Sequence, residues 1–287
     1  MDIANNPTLL KSYYIPPRPE VLAKVQEQMN SDDPNIEYIS KLVSEDVGLS
    51  AAVLQIINSP LYGMNRQISD IKQAAMLLGL DRIANLVASE SLKKSFTAKS
   101  CISLERFWDE ATDIANAMVF IAERVNKTDN AGHTIKENLP LEDLYTLGLF
   151  HDCGIPPLAQ KHFDYKELLM EANAGNIASL DLEDERYSTN HAIVGYLICT
   201  SWFLPKKLCD LVLRHHDTEF LEDSRVDMQC RQMFAILKAA EQLVYRHTRG
   251  KSCPEWSHYR EAVFDYTYLT EDEFDDLYEA YLTFVDL

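Results

Sequence analysis

Glycine is scarce in this sequence, with nine residues in 287. Alternating apolar and polar stretches are scarce too, so the left-handed turns of a hairpin-rich β fold have little to draw on. Basic residues are in the minority, 27 against 45 acidic, for a net charge of −18. Such a surface repels a phosphate backbone and argues against nucleic acid as a partner. It argues equally against an anionic membrane surface. Long apolar runs are missing, and no window approaches the roughly 18 residues that a membrane span needs. The cysteines (Cys101, Cys153, Cys199, Cys209, Cys230 and Cys253) form no C-x-x-C pair, which removes zinc-knuckle and thioredoxin-like sites. No G-x-S-x-G, P-loop or G-x-G-x-x-G is present, so neither a serine nucleophile nor a nucleotide cradle is supported. The opening MDIANNPTLLKSYY has no basic stretch followed by an apolar one. No signal peptide is expected from it, and the expected location is cytoplasmic.

What the sequence does contain is apolar residues, 46% of the total, in helical spacing. DDPNIEYISKLVSED predicts a helix with Asp33 as N-cap and Pro34 in its first position; Ile36, Ile39, Leu42 and Val43 share a face. GLSAAVLQIINS predicts a more buried helix that stops before Pro60. SDIKQAAMLLGL predicts one capped by Ser69 and ended by Gly79, and DRIANLVASESLKKSF restarts at Asp81. The long amphipathic LERFWDEATDIANAMVFIAERV follows. A polar stretch, NKTDNAGHTIKENLPLED, reads as a loop before helices resume at LEDLYTLGLFHD. The expected fold is all-α, an irregular multi-helix bundle. Three parts are expected: residues 12–98, residues 99–250, and an acidic, aromatic-rich helical tail at 251–287. On the tail Phe274, Leu277, Tyr278 and Tyr281 recur at helical spacing, an apolar face that would cover the domain or pair two chains. Trp108, Trp202, Tyr62 and Phe150 are expected in cores or between subdomains.

Chemistry concentrates in TLGLFHDCGIPPLAQ, where His151 and Asp152 stand side by side at a helix end, followed by Gly154 and Pro156. Adjacent residues aim at one site only from such a turn. His191 opens another helix that Ser188 or Asn190 would cap, and His215 and His216 close a third. Convergence of these groups from different elements is what a divalent metal requires. A single histidine near a helix end more often serves as a cap, and a protonated imidazole at 215 would suit the negative end of its helix.

IPPRPEVLAKVQEQM, ISKLVSEDVGLSAAVLQIINSPLYG and ISDIKQAAMLLGLDRIANLV resemble the first half of an HDOD domain. Pro16, Pro19, Asp46, Leu49, Asn58, Ser59, Ala74, Leu78 and Gly79 match its pattern, and Gly48 departs from it. RFWDEATDIA, GLFHDCG, NHAIVGYLICTSWFLP and RHHD continue the resemblance, which covers about residues 13 to 220. It implies an N-terminal helical subdomain packed on an HD-domain-like one, related to the metal-dependent HD and HD-GYP phosphohydrolases. Residue by residue, it places Glu110 where the hydrolases carry a histidine, and keeps the pair as His151 and Asp152. Ile155 replaces a lysine, the later histidines are His191 and His215 or His216, and the final aspartate is Glu241. Glutamate remains an oxygen ligand, so Glu110, His151, Asp152 and Glu241 would hold Mg, Mn, Fe or Ni.

The resemblance implies a bacterial signal-transduction regulator that is non-catalytic and acts through contacts with signalling proteins, with a homodimer as one form. The alternative is a metal-dependent phosphohydrolase of a cyclic dinucleotide or other phosphoester, with Asp152 acting on a metal-activated water. A third reading is a sensor that binds a nucleotide or phosphate ligand without turnover.

Overall fold

Every regular element in the computed structural model is a helix; it describes residues 12–59, 67–96, 98–125, 139–175 and 179–285, and no strand occurs among them. Tyr62 and most of the polar 126–143 stretch lie outside the described residues. No helix among the described residues is long and apolar enough to cross a membrane. The chain divides into two units. One comprises Pro16–Thr97 with Ser201–Leu204, the other Met1–Ile15, Ala98–Thr200 and Pro205–Leu287.

The smaller unit holds α1 (Glu20–Met29), α2 (Ile36–Glu45), α3 (Val47–Ile57), α4 (Ile71–Leu78) and α5 (Leu80–Ser95). Side-chain caps set these boundaries, and two differ from the sequence expectation. Helix α2 starts two residues later than Asp33 predicts, because the Asn35 side chain accepts the Tyr38 amide at 3.0 Å. Helix α4 is capped by Asp70 rather than Ser69. Asp70 Oδ1 accepts the Gln73 amide at 2.7 Å, while Gln73 Oε1 returns to the Ser69 amide at 3.1 Å. This reciprocal exchange satisfies two amides that a serine cap would have shared with water. Gly79 ends α4 at φ 90°, a backbone state that disfavours any side chain. Asn58 ties the end of α3 to the strap after it: its amide nitrogen donates to Ile68 O and its oxygen accepts the Ile68 amide. Trp202 is fully buried, and its Nε1 donates to Pro16 O at 2.9 Å.

The larger unit contains α6 (Leu104–Arg124), α7 (Leu141–Phe150), α8 (Ile155–Lys161), α9 (Tyr165–Gly175), α10 (Ser179–Tyr187), α11 (His191–Ser201), α12 (Lys206–Arg214), α13 (Met228–Arg249), α14 (Trp256–Thr267) and α15 (Glu271–Val285). Its centre is the packing of α6 on α7 and α13. Met118, Val119, Phe120 and Ile121 of α6 are buried with Phe234, Ile236 and Leu237 of α13. Each such side chain stabilises by about 1.5–3 kcal/mol relative to exposure. Gly148 lets α7 come close to α6, since a Cβ there would lie 2.5 Å from Ala115 Cα. Trp108 and Phe150 are buried as expected. The tail helix α15 lays its apolar face on this core. Phe274 stacks on Trp256, Tyr281 meets Phe120 edge-on, and Arg246 covers the Tyr278 ring.

Candidate metal centre

The site begins where α7 ends. His151 keeps helical angles as the C-cap of α7, and a short turn leads through Asp152 to Gly154 and into α8. Proline at 156 suits the first turn of α8, where its missing amide costs nothing. Gly154 matters for space. A Cβ at this position would sit 2.0 Å from His191 O and 2.7 Å from the Gly195 amide nitrogen. Only a bare backbone lets the turn press against α11, and that contact delivers Asp152 to His191. Of the two cap candidates for α11, Asn190 is the one used, accepting the Ile193 amide at 3.0 Å; Ser188 takes a left-handed φ of 56°.

Three histidines and one carboxylate converge. Asp152 Oδ1 lies 3.3 Å from both His191 Nε2 and His215 Nε2. His191 Nε2 lies 3.3 Å from His215 Nε2 and 3.0 Å from His216 Nε2. One donor atom from each of Asp152, His191, His215 and His216 falls within 4.8 Å of every other, a group that can hold a metal ion. The convergence follows from what holds the opposite ring nitrogens. His215 Nδ1 donates to Val212 O at 2.7 Å and His151 Nδ1 to Gly148 O at 2.6 Å. His191 Nδ1 is held by Glu183 at 2.8 Å, and His216 Nδ1 by both oxygens of Glu255 at 2.7 and 2.8 Å. With Nδ1 protonated and anchored, each Nε2 presents its lone pair to the common centre. Lone pairs facing one another at this separation repel unless a proton or metal cation lies among them. The donor set therefore fits a divalent ion that accepts imidazole and carboxylate together.

Burial and charge act in opposition here. Burial opposes a charge on His191, but Glu183 and Asp152 outweigh it and raise the pKa from 6.5 to about 9. His151 is also raised: burial works against it, and Asp152 overcomes the effect. Burial and then the neighbouring His216 drive His215 well below its ordinary value. His215 is thus neutral, in contrast to the protonated helix cap that its position alone suggests. Burial would raise Asp152, yet His151, His215 and His191 pull it well below the usual carboxylate range. Glu183 behaves likewise, lowered against burial by His191 and Tyr165, whose hydroxyl donates to it at 2.7 Å.

The remaining candidates stand around this group. His151 Nε2 contacts Asp152 Oδ2 at 3.3 Å and lies 3.9 Å from Glu241 Oε1. Glu241 is engaged by the Lys238 ammonium at 2.9 Å. Glu110 is paired through both its oxygens with Arg249, at 2.8 and 3.0 Å, on the cavity wall. The side chain that forms this wall pair is not a member of the converging donor group. Ile155 also faces the cavity, and cations come from elsewhere: Arg106, Lys166 and Arg249 line its walls. The cavity measures about 530 Å³ and reaches from His151, Asp152, His191 and His216 to Phe107, Ile114 and Val244. Glu183, Glu255 and Lys238 escape sequence reasoning. The last two have no spacing relative to a histidine that would flag them. Glu183 precedes His191 by eight residues, but it is one of several acids in DLEDERYSTNH and is distinguished only by complete burial.

The larger unit, in which every regular element among the described residues is a helix and which carries a histidine–aspartate centre, is HD-domain-like in fold. The sequence profile of the HDOD domain matches residues 15–218, and the chain belongs to the HDOD domain family. A curated relative from Treponema pallidum, an uncharacterized protein, is 24% identical over 204 residues; these are 71% of this chain and 38% of the relative. The chain thus matches well under half the length of that relative. An HDOD domain protein of unknown function from Geobacter sulfurreducens has a similar structure, with a TM-score of 0.61, 22% identity, and coverage of 96% of this chain and 97% of that one. A Shewanella amazonensis protein named as a candidate phosphohydrolase gives a TM-score of 0.67 at 18% identity, covering 96% and 94%. A second from that organism, named as a candidate metal-dependent phosphohydrolase, gives 0.63 at 19%, covering 97% and 100%. These likenesses concern the fold.

Proposed function

We propose that this chain is a bacterial signal-transduction regulator whose HD-like unit binds a divalent metal and, beside it, a phosphorylated small molecule. The observation that carries the reading is the set of anchored imidazoles, each with Nδ1 fixed and Nε2 turned to one point. Asp152, His191, His215 and His216 would hold the ion, which when bound supplies Lewis acidity toward a phosphoryl oxygen. Glu183 and Glu255 hold the Nδ1 atoms of His191 and His216 and so orient both rings. Arg106, Lys166 and Arg249 offer charge to an anion, and Phe107, Ile114 and Val244 offer an apolar wall to its body. The ligand would bias contacts with a partner protein, and the net charge of −18 suits a partner with a basic face.

Hydrolysis is the second reading. It is favoured by the opening of the cavity onto Asp152, whose side chain keeps 29% of its surface exposed. One preparation separates the two. Mn-loaded protein is incubated with inorganic phosphate, with p-nitrophenyl phosphate and with cyclic di-GMP. A metal-dependent rise in melting temperature without product supports the regulator. Repeated turnover that Asp152→Ala abolishes replaces it with the hydrolase. Neither binding nor turnover by metal-loaded protein contradicts both.

A further inference from the structure

Lys238 is a buried cation that the converging donor group does not use. Its side chain, on α13, is 2% exposed. The ammonium contacts both oxygens of Glu241, at 2.9 and 3.4 Å, and Glu255 Oε2 at 3.2 Å. It also stands 4.9 Å from the centre of the Tyr259 ring. A buried lysine with this coordination is fixed in place: leaving would strip Glu241 and Glu255, each only 13% exposed, of the cation they share.

The geometry around Asp152 gives this placement a meaning. Oδ1 faces His191 and His215, while Oδ2 faces His151, and His151 Nε2 in turn approaches Glu241. The site has two compartments that share one carboxylate. The first is Asp152, His191, His215 and His216. The second has His151, Asp152 Oδ2 and Glu241, one imidazole and two carboxylates. A carboxylate shared in this manner suits two ions about 3.5–4 Å apart. Among the described residues, however, only the first compartment closes tightly enough to hold an ion. The second is served by a positive charge that belongs to the chain.

We propose that Lys238 takes the place of a second metal ion, so that the protein holds a single divalent cation in the first compartment. The ammonium neutralises Glu241, whose two oxygens would otherwise be free to bind a metal. It also holds Glu255, which holds His216. A second divalent ion would have to displace a covalently tethered charge and would meet its repulsion on the way in. Lys238 is a positioning residue in this account. The inference rests on the metal centre proposed above.

The test is the number of Mn²⁺ ions bound by the full chain, with electron paramagnetic resonance to tell isolated from coupled ions. Wild type is expected to bind about one equivalent and give the signal of an isolated ion. Lys238→Met, similar in length but without charge, is expected to take up a second equivalent and give a coupled signal. His151→Ala in that background should return the count to one. Lys238→Arg keeps the cation and should stay at one. Two coupled ions in wild type overturn the proposal while leaving the metal centre intact. A folded Lys238→Met that stops at one overturns it too. If Lys238→Met fails to fold, wild type and Lys238→Arg decide: one isolated ion in both carries the proposal, and two in either ends it. No bound manganese in wild type removes the centre itself, and this inference falls with it.

Discussion

Metal and proton compete for His191, and the structure sets the size of the contest. The ring is 1% exposed and its pKa is raised from 6.5 to about 9, mainly by Glu183 against the effect of burial. In the metal-free protein a raised pKa stabilises the fold at low pH. That contribution is complete below 6.5 and is lost as the pH rises through about 9. A shift of this size corresponds to about 3 kcal/mol. Metal binding reverses the sign, because a ligand must shed its proton first. Affinity should therefore rise about tenfold per pH unit below pH 9 and level off above it, leaving a penalty of about a hundredfold near neutrality.

Glu183→Gln removes the charge that retains the proton, so the penalty near neutrality disappears. It also weakens the anchor behind the imidazole, which costs about 10–100-fold in affinity. The two effects nearly cancel at about pH 7, and only the loss survives at about pH 9. Competition titrations of Mn²⁺ against a chelator, run at both pH values on both proteins, read the difference. A wild-type affinity that is flat with pH would refute the reasoning. So would a variant weakened by the same factor at both ends.

Gly154→Ala drives a methyl group into the His191 carbonyl, 2.0 Å away. It should lower stability by about 1–3 kcal/mol in thermal unfolding and reduce metal uptake, because the turn that carries Asp152 must move. Tyr281→Ala removes a nearly fully buried ring packed against Phe120 and should cost about 3–5 kcal/mol in denaturant unfolding. Glu110→Gln opens a half-exposed ion pair and should change stability by less than about 1 kcal/mol. By freeing Arg249 it should tighten binding of inorganic phosphate to the metal-loaded protein, measured by calorimetry; binding that does not tighten would show that Arg249 has no part in holding the anion.

The helices were legible because their apolar periodicity and stop signals are local. Gly79 ends its helix where a left-handed residue is needed, and Asn190 caps α11 from the adjacent position. Asp33 and Ser69 fail as caps for a reason composition hides. Polar neighbours nearer the apolar run compete for the cap position, and Asn35 and Asp70 take it by accepting the Tyr38 and Gln73 amides. His151 and Asp152 stand out because they are contiguous, and the other histidines because only eight occur in the chain. The residues behind them do not stand out. Glu183 and Glu255 are two among 45 acids, and Lys238 looks like any lysine on an amphipathic helix until burial singles it out. The Glu110–Arg249 pair links residues 139 positions apart, and Trp202 reaches Pro16 across 186; neither separation leaves a trace in local pattern.

The most direct test of the central claim is elemental analysis of purified protein beside His191→Ala. The account predicts about one equivalent of a transition metal in wild type and almost none in the variant. Absence of metal from both, after reconstitution with manganese, iron and nickel in turn, would contradict it.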